Sequence, residues 1–123
     1  MYKILIVEDE PDTALVLTKR LQKQSYSVMV ASDAYQAIEK AYKDTPDLVM
    51  LDLMLPAGGG LSVLKKLRAS SRTMYTPVIV LTASKDEEQK KEVLAIGVEA
   101  YIEKPYDFHS ILDAIKGILK PNP

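Results

Sequence analysis

Four uninterrupted apolar stretches constrain the fold more than any other feature: Ile4-Leu5-Ile6-Val7, Val28-Met29-Val30-Ala31, Leu48-Val49-Met50-Leu51 and Val78-Ile79-Val80-Leu81. Each is too short for a helix, and none alternates with polar residues. A strand with one wet face alternates with period two, whereas a strand covered on both faces reads as a continuous run rich in β-branched residues. The stretches therefore predict a parallel sheet with helices on both sides. Ala100-Tyr101-Ile102, just before Lys104-Pro105, is a fifth and weaker candidate.

The intervals between the stretches carry helical spacing. From Pro11 to Gln24, Ala14, Leu17 and Leu21 recur every three or four residues, and Pro11 suits a first helical turn. A second helix is expected from about Asp33 to Tyr42, capped by Ser32, with Ala34, Ala37, Ile38 and Ala41 inward. The third starts near Gly60 and turns Leu61, Leu64 and Leu67 to the core. The fourth follows a capping box at Ser84-Lys85-Asp86-Glu87, buries Val93, Leu94 and Ile96, and stops at Gly97. The fifth spans about Asp107 to Leu119 through Phe108, Ile111, Leu112 and Ile115.

This is a strand followed by a helix, five times over, with no internal repeat or linker. Strict alternation with short connections implies right-handed crossovers and a doubly wound α/β sheet. The units consume residues 1–120 as a single domain, leaving 121–123 as a tail or the start of a linker. No apolar run approaches the roughly 20 residues needed to span a bilayer, and no leader peptide is visible, so the chain reads as cytoplasmic, without a membrane partner. With 16 Lys+Arg against 17 Asp+Glu, it offers no basic footprint for nucleic acid. Zero cysteines exclude disulfides and thiolate chemistry, and one histidine excludes a His-rich metal cluster.

In such sheets ligands bind at the carboxyl ends of the strands. There the sequence places Glu8-Asp9-Glu10 after the first strand, Asp52 after the third, Thr82 at the end of the fourth and Lys104 after the fifth. Carboxylates brought together repel one another, and an oxygen-only ligand set of high charge favours a hard cation such as Mg²⁺, which commonly shares its shell with phosphoryl oxygens. Within that set Asp52 is placed to attack a phosphoryl group as a carboxylate nucleophile, while Lys104 and the Thr82 hydroxyl bind its oxygens.

The motifs Ile4-Leu5-Ile6-Val7-Glu8-Asp9-Glu10, Leu51-Asp52-Leu53-Met54-Leu55-Pro56 with Gly60 beyond, Leu81-Thr82-Ala83, and Tyr101-Ile102-Glu103-Lys104-Pro105 stand in order along essentially the whole chain. In this combination the sequence resembles the receiver domain of two-component response regulators. The resemblance implies a flavodoxin-like sheet in the order 2-1-3-4-5. It implies that Asp52 accepts a phosphoryl group from the phosphohistidine of a sensor histidine kinase or phosphotransfer protein. It implies further that Glu8, Asp9, Asp52 and the Met54 carbonyl hold Mg²⁺, and that Thr82, Ala83 and Lys104 border the phosphoryl group. Thr82 and Tyr101 would then form the switch: Thr82 moves toward the phosphoryl group, Tyr101 turns inward, and the surface of the fourth helix, fifth strand and fifth helix changes for an output domain or effector. The kinase would meet the first helix and the loop after the fifth strand, near Asp12, Leu15 and Tyr106. Such a domain is a signalling element, not an enzyme acting on other substrates.

Two rivals are disfavoured by single positions. An aspartate-nucleophile phosphatase of the haloacid-dehalogenase type needs a second Asp two residues after the first, where this chain has Met54. A flavodoxin-like cofactor binder needs a Ser/Thr/Gly-rich loop where this chain has Glu8-Asp9-Glu10-Pro11. Two departures from the family pattern are also visible. Pro56-Ala57-Gly58-Gly59-Gly60 carries three glycines and is expected to be a mobile turn, and the charges that commonly pair across receiver dimers are replaced by Ala100, Ser110 and Ala114.

Overall fold

The five apolar stretches all become strands and the intervals between them helices. The computed structural model describes residues 1–56 and 59–120. In chain order the elements are β1 (Lys3–Val7), α1 (Pro11–Lys23), β2 (Ser27–Ala31), α2 (Ala34–Asp44), β3 (Leu48–Leu51), α3 (Gly59–Ala69), β4 (Val78–Thr82), α4 (Glu87–Ile96), β5 (Ala100–Glu103) and α5 (Phe108–Ile118). The strands pair in parallel in the order β2-β1-β3-β4-β5. No helix among the described residues is long and apolar enough to cross a membrane.

Continuous apolar runs are what a two-sided sheet requires, and the burial shows both sides in use. Leu5, Val7, Val49, Leu51, Val78 and Val80 pack toward Ala37 and Ala41 of α2, Val63, Leu64 and Leu67 of α3 and Val93 of α4. Their strand neighbours Ile4, Ile6, Leu48, Met50, Ile79 and Leu81 pack toward Leu17 and Leu21 of α1 and Ile111 and Ile115 of α5. Each of the valine, leucine, isoleucine and methionine side chains contributes about 1.5–3 kcal/mol by leaving water. β2 departs from the expectation of burial on both faces, and β5, the weaker candidate, is likewise only partly covered. As the outer strands they have a covered neighbour on one side only, and Val28, Met29, Val30, Tyr101 and Ile102 are half-buried.

Helix starts are shifted from the sequence reading by one or two residues. Asp33, not Ser32, caps α2: its backbone is extended and its carboxylate accepts the Gln36 N–H at 2.8 Å. Asp86, not Ser84, caps α4 by accepting from the Gln89 N–H at 3.1 Å, while the Ser84 hydroxyl bonds the Gln89 side chain. In both cases the residue with extended backbone immediately before the first turn is the one whose side chain reaches the third helical N–H. Pro11 opens α1 as expected, and Gly97 ends α4 with φ of 110°, a conformation that suits glycine. Leu94 was expected in the core but is 51% exposed, because the short α4 turns only Val93 fully inward. α3 begins at Gly59, so the expected turn over 56–60 is already helical at its end, and its residues 57 and 58 lie outside the described residues, as does the tail 121–123.

Register decides what meets at the rim. Val7 of β1 pairs with Ala31 on one side and Leu51 on the other, so Glu8 and Asp52 emerge side by side from the centre of the sheet. Thr82 pairs with Glu103, which brings Lys104 out beside them from the far strand.

Candidate functional site

Glu8, Asp9 and Asp52 each present a carboxylate oxygen, and these oxygens all lie within 4.8 Å of one another. Glu8 and Asp52 are buried, at 6% and 7% exposure, and Asp9 is half-buried. Local backbone fixes the two buried groups. Glu8 Oε2 accepts the Glu10 N–H at 3.1 Å, and Asp52 Oδ1 accepts the Met54 N–H at 2.9 Å. Both are turns in which a carboxylate bonds the amide two residues ahead, leaving its other oxygen aimed into the cleft.

Those second oxygens converge on one cation. Lys104 Nζ lies 3.0 Å from Glu8 Oε1 and 3.2 Å from Asp52 Oδ2. The ammonium links residues from opposite parts of the chain and neutralises part of the acidic cluster. Burial pushes the Glu8 carboxyl above the usual glutamate range, and the bonds to Lys104 and the Glu10 N–H only partly offset it. For Lys104, burial works against the charged form, but the hydrogen bond to Glu8 and the nearby Asp52 and Glu8 charges outweigh it, and its pKa is raised. Three hard oxygen donors around a position already attractive to a cation are a fitting set for Mg²⁺.

The remaining predicted residues surround this cluster without all touching it. Thr82 is fully buried, and its hydroxyl accepts the Ser84 N–H at 3.1 Å, while its carbonyl accepts the Lys104 N–H at 2.8 Å. Ala83 follows it and is exposed. Met54 is tied to Asp52 through its own N–H, and its side chain is 57% exposed. Tyr101 packs against the core on the α4 side of the sheet, and its hydroxyl is buried with no hydrogen-bond partner among the described residues. The Lys104-Pro105 peptide is cis. Two contacts were not anticipated from sequence. Lys104 was assigned to the phosphoryl group alone, yet it also pairs with Glu8, and Glu103 gathers Lys85 and Lys90. The presence of Glu8 and Lys104 at strand ends of one parallel sheet was the available signal for the first.

The electrostatics carry a pH prediction. A carboxyl whose pKa is raised in the folded state holds its proton more tightly there than when unfolded, so Glu8 favours folding at low pH. That contribution is lost as pH rises from the ordinary glutamate range through the raised folded value. A Mg²⁺ ion held by Glu8 would need the ionised group, so its binding should weaken on acidification through the same window and release a proton there. Calorimetric titration in buffers of different ionisation heat should detect that proton, and Glu8→Gln should remove its share; pH-independent Mg²⁺ affinity across the window would contradict the assignment.

A family model for the response regulator receiver domain matches residues 4–116. The chain belongs to that family. The receiver is 38% identical over 123 residues to the response regulator ArlR of Staphylococcus saprophyticus, covering 100% of this chain and 54% of that protein. It thus spans about half the length of the curated relatives it matches. Among solved structures, the chemotaxis protein CheY4 of Vibrio cholerae superposes with a TM-score of 0.88 at 29% identity, over 97% of this chain and 99% of that one. The receiver domain of the sensor histidine kinase PA1611 from Pseudomonas aeruginosa, solved with a magnesium ion coordinated in its active site cleft, gives a TM-score of 0.86 at 27% identity, over 95% and 96% of the two chains. The flavodoxin-like order 2-1-3-4-5 expected from sequence is the order found.

Proposed function

We propose that this receiver accepts a phosphoryl group on Asp52 from the phosphohistidine of a sensor histidine kinase or phosphotransfer protein, in a Mg²⁺-dependent reaction, and relays that event to an output domain or effector. The observation that carries the reading is the placement of Lys104 Nζ against both Glu8 and Asp52 inside a three-carboxylate cluster. A surface ion pair does not need three acidic groups, and a plain metal site does not need a lysine.

In the reaction a carboxylate oxygen of Asp52 forms a bond to phosphorus as the phosphorus–nitrogen bond breaks, and the imidazole leaves with its nitrogen lone pair. Lys104 transfers its hydrogen bond from Asp52 to a phosphoryl oxygen and holds charge there as the bond order changes. Glu8, Asp9, Asp52 and the Met54 carbonyl would hold Mg²⁺, whose bound charge neutralises phosphoryl oxygens. The Thr82 hydroxyl, which accepts the Ser84 N–H, donates its own hydrogen to a phosphoryl oxygen, and Ala83, lacking bulk, leaves the approach open. Tyr101 then turns inward into the space vacated behind Thr82, altering the face formed by α4, β5 and α5. Turnover of external phosphoesters is disfavoured because the position two beyond Asp52 is Met54, which has no general acid or base.

The reading is tested with beryllofluoride, a phosphoryl mimic, as probe. With Mg²⁺ present it should bind one equivalent and raise the melting temperature, and a chelator should abolish both effects. Hydrolysis of p-nitrophenyl phosphate at enzymatic rates would favour the phosphatase instead.

A further inference from the structure

β5 ends in Glu103, two residues after Tyr101 and so on the same face of the strand. The residue is exposed enough to be solvated, yet it is the meeting point of two lysines, one from the loop after β4 and one from α4. Lys85 Nζ, in the loop that follows Thr82, lies 3.7 Å from one Glu103 oxygen, and Lys90 Nζ, in α4, lies 3.8 Å from the other. Lys90 Nζ also sits 5.2 Å from the centre of the Tyr101 ring. One carboxylate thereby ties the β4–α4 loop and α4 to the end of β5, and the same ammonium rests on the aromatic ring proposed to move.

We infer that the Lys85–Glu103–Lys90 network, with Lys90 stacked on Tyr101, is a latch that holds the receiver in its resting arrangement and sets how much phosphoryl binding is needed to switch it. The inference rests on the reading of Asp52 as phosphoacceptor and Tyr101 as switch. Its direction follows from geometry. In the resting state the Thr82 hydroxyl accepts the Ser84 N–H, so a movement of Thr82 that brings its own hydrogen to a phosphoryl oxygen draws along the loop that carries Lys85. Rotation of Tyr101 takes its ring away from Lys90. Both movements lose contacts made here, while the buried, unpartnered Tyr101 hydroxyl shows that the ring gains no hydrogen bond from its resting position. A contact present equally in both states would shift nothing, so the latch makes a differential prediction.

Glu103→Gln and Lys90→Gln should each bind beryllofluoride, with saturating Mg²⁺, about three- to tenfold more tightly than the wild type, the range expected for partly exposed pairs sharing one carboxylate. The double variant should be no tighter than the stronger single variant, because both remove one network. Lys90→Arg, which keeps the charge and the stacking, should behave as wild type, and the charge swap Lys90→Glu with Glu103→Lys should restore part of the wild-type affinity. Tyr101 ring signals, assigned with Tyr101→Phe, should shift toward the beryllofluoride-bound position in Glu103→Gln before any mimic is added. Mg²⁺ affinity alone should be unchanged, which separates the latch from the metal site. Unaltered or weaker beryllofluoride binding in both single variants, with wild-type thermal stability, would overturn the latch. Failure of the wild type to bind beryllofluoride at all would instead overturn the phosphoacceptor reading on which it rests.

Discussion

Replacing Lys104 with Met is expected to tighten Mg²⁺ binding while slowing phosphoryl transfer to Asp52 by about two to three orders of magnitude. The two effects have opposite signs because the ammonium does different work in the two states. At rest it lies 3.0 Å from Glu8 and 3.2 Å from Asp52, where it competes with a divalent cation for the same oxygens. In the proposed transfer it would bind the phosphoryl group, a contact that exists only once the donor is in place, so its loss would fall on the rate. Mg²⁺ affinity by calorimetry and the rate of adduct formation at saturating Mg²⁺ separate the terms. A variant that loses Mg²⁺ affinity and rate in parallel would show Lys104 to be a purely structural brace.

The second large effect lies one helix away. A Cβ built on Gly60 would stand 2.3 Å from Leu53 Cα, 2.6 Å from the Leu53 carbonyl oxygen and 2.7 Å from that of Asp52. These are backbone atoms of the segment that carries Asp52, the proposed phosphoacceptor, and no side-chain rotation relieves the overlap. Gly60→Ala should therefore destabilise the receiver by about 2–3 kcal/mol, despite alanine's better helix propensity, and lower its melting temperature by roughly 10 °C. Gly117, inside α5, has nothing within 4 Å of the equivalent position. There the propensity term acts alone, and Gly117→Ala should stabilise by about 0.5–1 kcal/mol. Thermal melts of the two variants compare the same chemical change with and without a backbone in its way; equal shifts would refute the packing argument.

What the sequence made legible follows from the sheet. β1, β3 and β4 were readable because strands covered on both faces cannot hide polar residues, and their runs are unbroken. β2 looked the same, since apolar composition does not distinguish a central strand from an outer one; only pairing does. The helix caps were misplaced because Ser32 and Asp33, or Ser84 and Asp86, are both capping types, and the choice rests on which residue has extended backbone. Glu8, Asp9, Asp52, Thr82 and Lys104 could be gathered from the sequence because a parallel sheet delivers every strand end to one rim. Their mutual bonds could not. The contact between Lys104 and Glu8 spans 96 residues and depends on register across four strands. The Glu103 network was equally hidden, since glutamate before Lys104 reads as an ordinary surface charge until α4 is laid beside it.

The account's central claim is that Asp52 carries the phosphoryl group, and intact mass measurement tests it most directly. The wild type and Asp52→Asn are each incubated with Mg²⁺ and a small phosphodonor such as acetyl phosphate. The account predicts one labile phosphoryl addition on the wild type and none on Asp52→Asn, with both proteins folded. An equal addition on both proteins, or consumption of the donor with no adduct on either, would contradict it.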